Sequence, residues 1–85
     1  MKPAEHVRAN VTDDGLVVLD LDKGQIFSAN VIAARIWQSV IVDNKPKDEV
    51  VDSIVREWRS TPDVVAQDLE TFVASLRQQE LVIDA

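Results

Sequence analysis

The sequence has no cysteine, which excludes a disulfide framework, a thiolate metal site and a cysteine nucleophile. It has a single histidine, His6, with no partner pattern for a catalytic triad or a histidine-based metal centre. Only two glycines occur, Gly15 and Gly24. Both sit in hairpin-turn signals, Asp13-Asp14-Gly15 and Asp22-Lys23-Gly24, so no glycine-rich loop cradles a phosphate. No apolar run approaches the ~18 residues of a membrane helix. The opening stretch "MKPAEHVRAN" lacks the apolar centre of a secretory signal, so a cytoplasmic location is expected. Neither a repeat nor a linker divides the chain, and residues 1–85 are expected to form one domain. Basic residues are few: 9 Lys and Arg stand against 15 Asp and Glu, a net charge of −6. Such a surface repels nucleic-acid phosphates and favours basic or neutral partners.

What is present reads first as strands, then as helices. In "EHVRANV", Val7, Ala9 and Val11 alternate with His6, Arg8 and Asn10, the pattern of a half-buried strand. "LVVLDL" is apolar on both faces at its start and is expected to be the central strand. After the second glycine turn, "QIFSA" is the third strand, giving an antiparallel meander. Asn30 caps the next element. There Ile32, Ile36 and Val40 form one apolar row, and Ala33, Trp37 and Ile41 form the row beside it. "DNKP" breaks the chain. A second helix shows Val51, Ile54, Val55 and Trp58 at helical spacing, with both tryptophans expected in the core. Ser60-Thr61-Pro62 signals a third helix with a hydroxyl cap, followed by the stripe Val65, Leu69, Phe72, Val73 and Leu76. "ELVID" after Gln79 is either a short strand or an extended tail. Three strands followed by three helices define an α+β fold of winged helix-turn-helix type.

At this point the sequence resembles the PqqD-like proteins, also called RiPP recognition elements. The residues that carry the resemblance are Gly15, the apolar strand 17–21, Gly24, Phe27, Asn30, Ala33 and the run Ala34-Arg35-Ile36-Trp37. A later Asp-x-x-x-Phe-x-x-x-Leu helix is matched by Asp68, Phe72 and Leu76. The resemblance spans about residues 7–81. There are departures. Ala29 stands where the family usually has Leu, Ala33 where it often has Gly, and Gln79-Glu80 where it often has Gly near the end of the third helix. They bear on the shape of the groove, not on the fold.

The resemblance implies a domain that binds the leader segment of a ribosomally made precursor peptide and presents it to a modifying enzyme. The leader would join the sheet beside the third strand, with the third helix as the groove wall. That strand carries no proline, lysine or glutamate to block its edge. The expected peptide-binding residues are Gln25, Ile26, Phe27 and Ser28 on the strand, and Val65, Asp68, Leu69, Phe72 and Val73 on the helix. Phe27 is expected to face the core, with Ile26 and Ser28 bordering the ligand. The partner enzyme would be a leader protease or a radical enzyme, with no cofactor and no metal held by this chain itself.

Two other classes compete with this one. A winged-helix nucleic-acid reader needs a basic recognition helix, but the third helix has Asp63, Asp68 and Glu70 against Arg77. A structural dimer module would consume the same strand edge, whereas the peptide receptor is expected to be a monomer or weak dimer. Asp13 and Asp14, or Asp20 and Asp22, read as turn residues and not as a catalytic carboxylate pair.

Overall fold

The computed structural model describes residues 1–84. Its strands are β1 (Lys2–Pro3), β2 (Val7–Thr12), β3 (Gly15–Asp20), β4 (Gln25–Ala29) and β5 (Val82–Ile83). Its helices are α1 (Val31–Ile36), which continues as a π-helical segment (Trp37–Val42), α2 (Lys47–Trp58) and α3 (Pro62–Gln78). The meander has the order β2-β3-β4, with the apolar strand in the centre as expected. The α+β class, with a three-stranded antiparallel sheet and three helices, matches the reading of the sequence. A second, two-stranded sheet joins β1 to β5. It settles "ELVID" as strand-forming and ties the two ends of the described chain together.

Both turns follow from their residues. Asp13 and Asp14 span the first one, Thr12 pairs with Gly15 across it, and the Asp14 amide donates to the Thr12 hydroxyl at 3.2 Å. In the second turn Asp20 folds back. Its Oδ1 accepts the amides of Asp22 (3.0 Å) and Lys23 (3.1 Å), the side-chain turn that short acidic residues favour. Gly24 completes this turn at φ +63, a left-handed conformation that glycine adopts without cost.

Asn30 caps α1 as read: its Oδ1 accepts the Ala33 amide at 2.9 Å. The π-helical continuation was not foreseen. There the Asp43 amide reaches back five residues to the Gln38 carbonyl at 2.9 Å. The wider turn keeps Trp37, Val40 and Ile41 all on the buried side.

Two expectations about the helices are corrected. Trp58 is not a core aromatic. It sits at the last turn of α2, 36% exposed, with the Arg35 guanidinium 5.1 Å from its ring centroid. The inward side of α2 is instead carried by Val50 and Ile54, and Val50 was absent from the predicted stripe. Thr61 does hold the N-cap position of α3, but its side chain makes no cap hydrogen bond; Pro62 and Asp63 supply the start signal.

The core lies between one face of the sheet and the three helices, around Val18, Ile36, Trp37, Ile41, Ile54, Leu69, Val73 and Leu81. In β2 only Val7 is buried; Ala9 and Val11 share its face but stay exposed, Val11 beside a hollow that α1 and Trp58 help to wall. α3 ends in a Schellman motif. The Leu81 amide donates to the Leu76 carbonyl (2.9 Å) and the Glu80 amide to the Arg77 carbonyl (3.0 Å). The motif places Glu80 at φ +61, a left-handed position that favours glycine.

Candidate functional site

The free rim of β4 can be assigned group by group. The Leu21 amide donates to the His6 carbonyl at 2.8 Å, so this residue pair exchanges bonds between β2 and β3. In an antiparallel ladder bonding pairs alternate with non-bonding ones. The register pairs Val7 with Asp20 and Thr12 with Gly15. Val17, Leu19 and Leu21 therefore turn their backbone groups toward β2, while Leu16, Val18 and Asp20 turn theirs toward β4. Their β4 partners are Ala29, Phe27 and Gln25. What remains on β4 is Ile26 and Ser28, whose N–H and C=O groups point away from the sheet. Among the described residues no hydrogen bond reaches them.

The opposite rim, on β2, is partly occupied. The Val7 amide donates to Ala4 at 3.1 Å, and the Arg8 guanidinium donates to the Val7 carbonyl at 2.9 Å. Charge and backbone bonding thus blunt one edge of the sheet and leave the other open.

A hollow of about 240 Å³ runs beside β4. Its floor is Leu16 and Val18, its strand side Phe27, Ser28 and Ala29, and its helix side Phe72, Ser75, Leu76 and Gln79, with Leu81 closing one end. A second hollow, about 450 Å³, shares Phe72 and Ser75 with the first. It continues along α3 past Thr71 to Asp68, facing Asn30, Ile32, Ala33 and Ile36 on α1. Together they form one groove between the β4–α1 junction and α3. It is apolar where it adjoins the strand and carries a carboxylate, Asp68, at its far end. Two close approaches shape it. A Cβ at Gly15 would fall 2.2 Å from the Ala29 carbonyl oxygen, so glycine lets the hairpin lie against the end of β4. Ala29, with its single methyl group, lines the strand side of the hollow.

The nine residues expected to bind peptide divide into three groups. Phe27, Ser28, Phe72 and Asp68 line the groove. Gln25 and Ile26 lie on the strand but not in the hollow; the Ile26 side chain is 68% exposed on the far face of the sheet. Val65, Leu69 and Val73 are buried in the core, and a guest could touch them only by displacing their neighbours, so they are removed from the contact set. Phe27 is half-buried, facing inward as read, and it also walls the hollow. Thr71, Ser75, Gln79, Ile32 and Leu81 line the same two hollows and were not among the nine. A signal existed: Asp68, Thr71, Phe72, Ser75 and Gln79 form a helical row one step round from the core stripe.

His6 is half-buried, with Nε2 3.9 Å from Asp20 Oδ1 and Nδ1 3.8 Å from Asp22 Oδ2, beside the turn that Asp20 organises.

Comparison with known proteins now places the chain. The family model described as coenzyme PQQ synthesis protein D (PqqD) matches residues 15–82, and the chain belongs to this family. The solved structure of TbiB1 in complex with the TbiA(beta) leader peptide is similar at 32% identity and a TM-score of 0.83, over 100% of this chain and 98% of that one. Lasso peptide synthetase B1 complexed with the leader peptide shares the fold, at 23% identity and a TM-score of 0.86 over 98% and 96% of the two chains. No curated protein matches the sequence.

Proposed function

We propose that this chain captures the leader segment of a ribosomally made precursor peptide as an added strand on β4. It then delivers the peptide to a modifying enzyme, a leader protease or a radical enzyme, and catalyses nothing itself. The observation that carries this reading is the open rim: Ile26 and Ser28 direct unpaired N–H and C=O groups at a groove walled by α3. In β-augmentation the backbone supplies affinity and alternate side chains supply specificity. Here every second guest side chain would drop into the hollow bounded by Phe27, Phe72 and Leu76. The similarity to TbiB1, described with a leader peptide bound, supports the same reading.

The energies are sufficient. A net hydrogen bond contributes about 0.5–1.5 kcal/mol and a well-buried apolar anchor about 1.5–3 kcal/mol. A few rim bonds and two or three anchors, less the ordering cost, reach about −8 kcal/mol, or micromolar affinity. Holding the leader raises the effective concentration of the rest of the precursor at the bound enzyme. Among the described residues no helix is long and apolar enough to cross a membrane. We place the work in the cytoplasm, with the chain as a monomer or weak dimer whose rim is free for the guest. The acidic faces of α2 and α3 argue against a nucleic-acid groove reader.

Calorimetry with the leader peptide encoded beside this chain tests the proposal. Ser75 lines both hollows and lies outside the buried core. Ser75→Phe should fill the groove and weaken leader binding at least about tenfold, a loss of ~1.4 kcal/mol, with little change in unfolding temperature. Unchanged affinity would place the guest elsewhere.

A further inference from the structure

The groove runs along one side of α1, at Ile32, Ala33 and Ile36. On another side, between the π-helical segment and α2, lies a separate polar pocket of about 370 Å³ that shares no lining residue with the groove. The backbone beside it is unusual. Gln38 and Ser39 sit in the π-helical turn, and Asn44 takes a left-handed φ of +55. Short π-helical segments occur frequently at functional sites. Ser39 is only 7% exposed, and it lines this pocket. Its hydroxyl takes no part in the side-chain hydrogen bonds of the region, which run from Arg35 to Ser53, from Gln38 to Asp43 and from Arg56 to the Asp52 carbonyl, each at 3.3 Å. A buried hydroxyl without a partner in the chain is costly, and a ligand seated in the pocket supplies that partner.

Charge says what that ligand is. The chain has net charge −6, yet three of its nine basic residues, Arg35, Lys45 and Arg56, line this one pocket. Arg35 is already engaged: it donates to Ser53, forms an ion pair with Glu57 and lies over the Trp58 ring. It is a fixed wall. Lys45 and Arg56 form no ion pair among the described residues, although carboxylates claim Arg35 and Lys47 nearby. Two acidic residues, Asp43 and Glu49, also line the pocket, and Asp43 accepts the Gln38 amide. We infer that this pocket binds a carboxylate group. Lys45 and the planar fork of Arg56 take its charge, and the Ser39 hydroxyl donates to one of its oxygens. Three cations against two carboxylates leave one positive charge over the lining, which suits a monoanion. A phosphate dianion would exceed it and would be repelled by Asp43 and Glu49. The carboxylate belongs either to a small organic acid or to an acidic side chain of a polypeptide. The site is independent of leader capture, and both can be filled at once.

NMR titration of the full chain tests the assignment. The probes are sodium acetate and, separately, the blocked peptide acetyl-Gly-Glu-Gly-amide, each against sodium chloride at matched ionic strength. The Gln38, Ser39, Lys45 and Ser53 amides should shift along saturating curves, with a Kd of about 1 mM or tighter for at least one carboxylate. Saturation by both probes supports the site and a free acid as its ligand; saturation by the peptide alone supports the site and a polypeptide side chain as its ligand. Lys45→Gln and Arg56→Gln, both at exposed positions, should each weaken binding at least about threefold, and Ser39→Ala should do the same. Glu49→Gln should tighten it about threefold by removing a like charge, a gain that a folding defect cannot imitate. Shifts that chloride reproduces, or that never saturate, would overturn the inference. So would tighter saturation by sodium phosphate than by either carboxylate, or a Glu49→Gln variant that binds no better.

Discussion

The Leu21 amide and the His6 carbonyl lie 2.8 Å apart, and that one bond fixes which groups of the whole sheet face outward. Shifting the pairing of β3 and β4 by one residue would turn the backbone groups of Ile26 and Ser28 inward and present those of Phe27 to the guest instead. The two-residue turn at Asp13-Asp14 holds the β2–β3 register, and the Asp20 side-chain turn holds the β3–β4 register.

Proline at adjacent positions of β4 separates rim from ladder. Ile26→Pro removes an N–H that bonds nothing within the chain, so the fold should survive while leader affinity falls at least about tenfold. Phe27→Pro removes a bond to β3 and should destabilise the protein by about 3 kcal/mol in urea unfolding. Equal effects at both sites would contradict the assigned parity.

Gly15→Ala tests the close approach at the end of β4. The added methyl would meet the Ala29 carbonyl at 2.2 Å, with φ at +145, and neither backbone can yield without shifting the hairpin. A loss of about 2–4 kcal/mol is expected. Gly24→Ala has open space around it and should cost only about 1 kcal/mol, for its left-handed φ.

Glu80 occupies the left-handed residue of the Schellman motif that ends α3. Glu80→Gly should raise stability by about 0.5–1 kcal/mol by removing the Cβ strain. The gain should appear as a higher urea midpoint with an unchanged slope, and leader affinity should not move. A loss of stability would mean that the Glu80 side chain contributes more than its backbone costs.

The sequence carried the framework of the fold because its signals are local. Both glycine turns, the limits of "QIFSA" and the Asn30 cap each rest on a few adjacent residues, and each appears where it was read. The β1–β5 pair was not legible: two residues cannot show a period, and the Pro3–Val82 partnership spans almost the whole chain. The π-helical segment was hidden because Trp37, Val40 and Ile41 also fit an ordinary helix. At the groove, an apolar stripe cannot by itself say which members touch a guest. Val65, Leu69 and Val73 proved to be core, whereas polar Ser75 and Gln79 line the hollow. Trp58 misled because helical spacing does not reveal that α2 ends there, under Arg35.

Amide hydrogen exchange of the chain with and without the leader peptide tests the central claim most directly. The Gln25, Phe27 and Ala29 amides, already bonded to β3, should be protected in both states. The Ile26 and Ser28 amides should exchange fast in the free protein and slow at least about tenfold on binding. Protection gained instead at Ala9 and Val11 on the opposite rim, or at neither rim while the leader binds, would contradict the account.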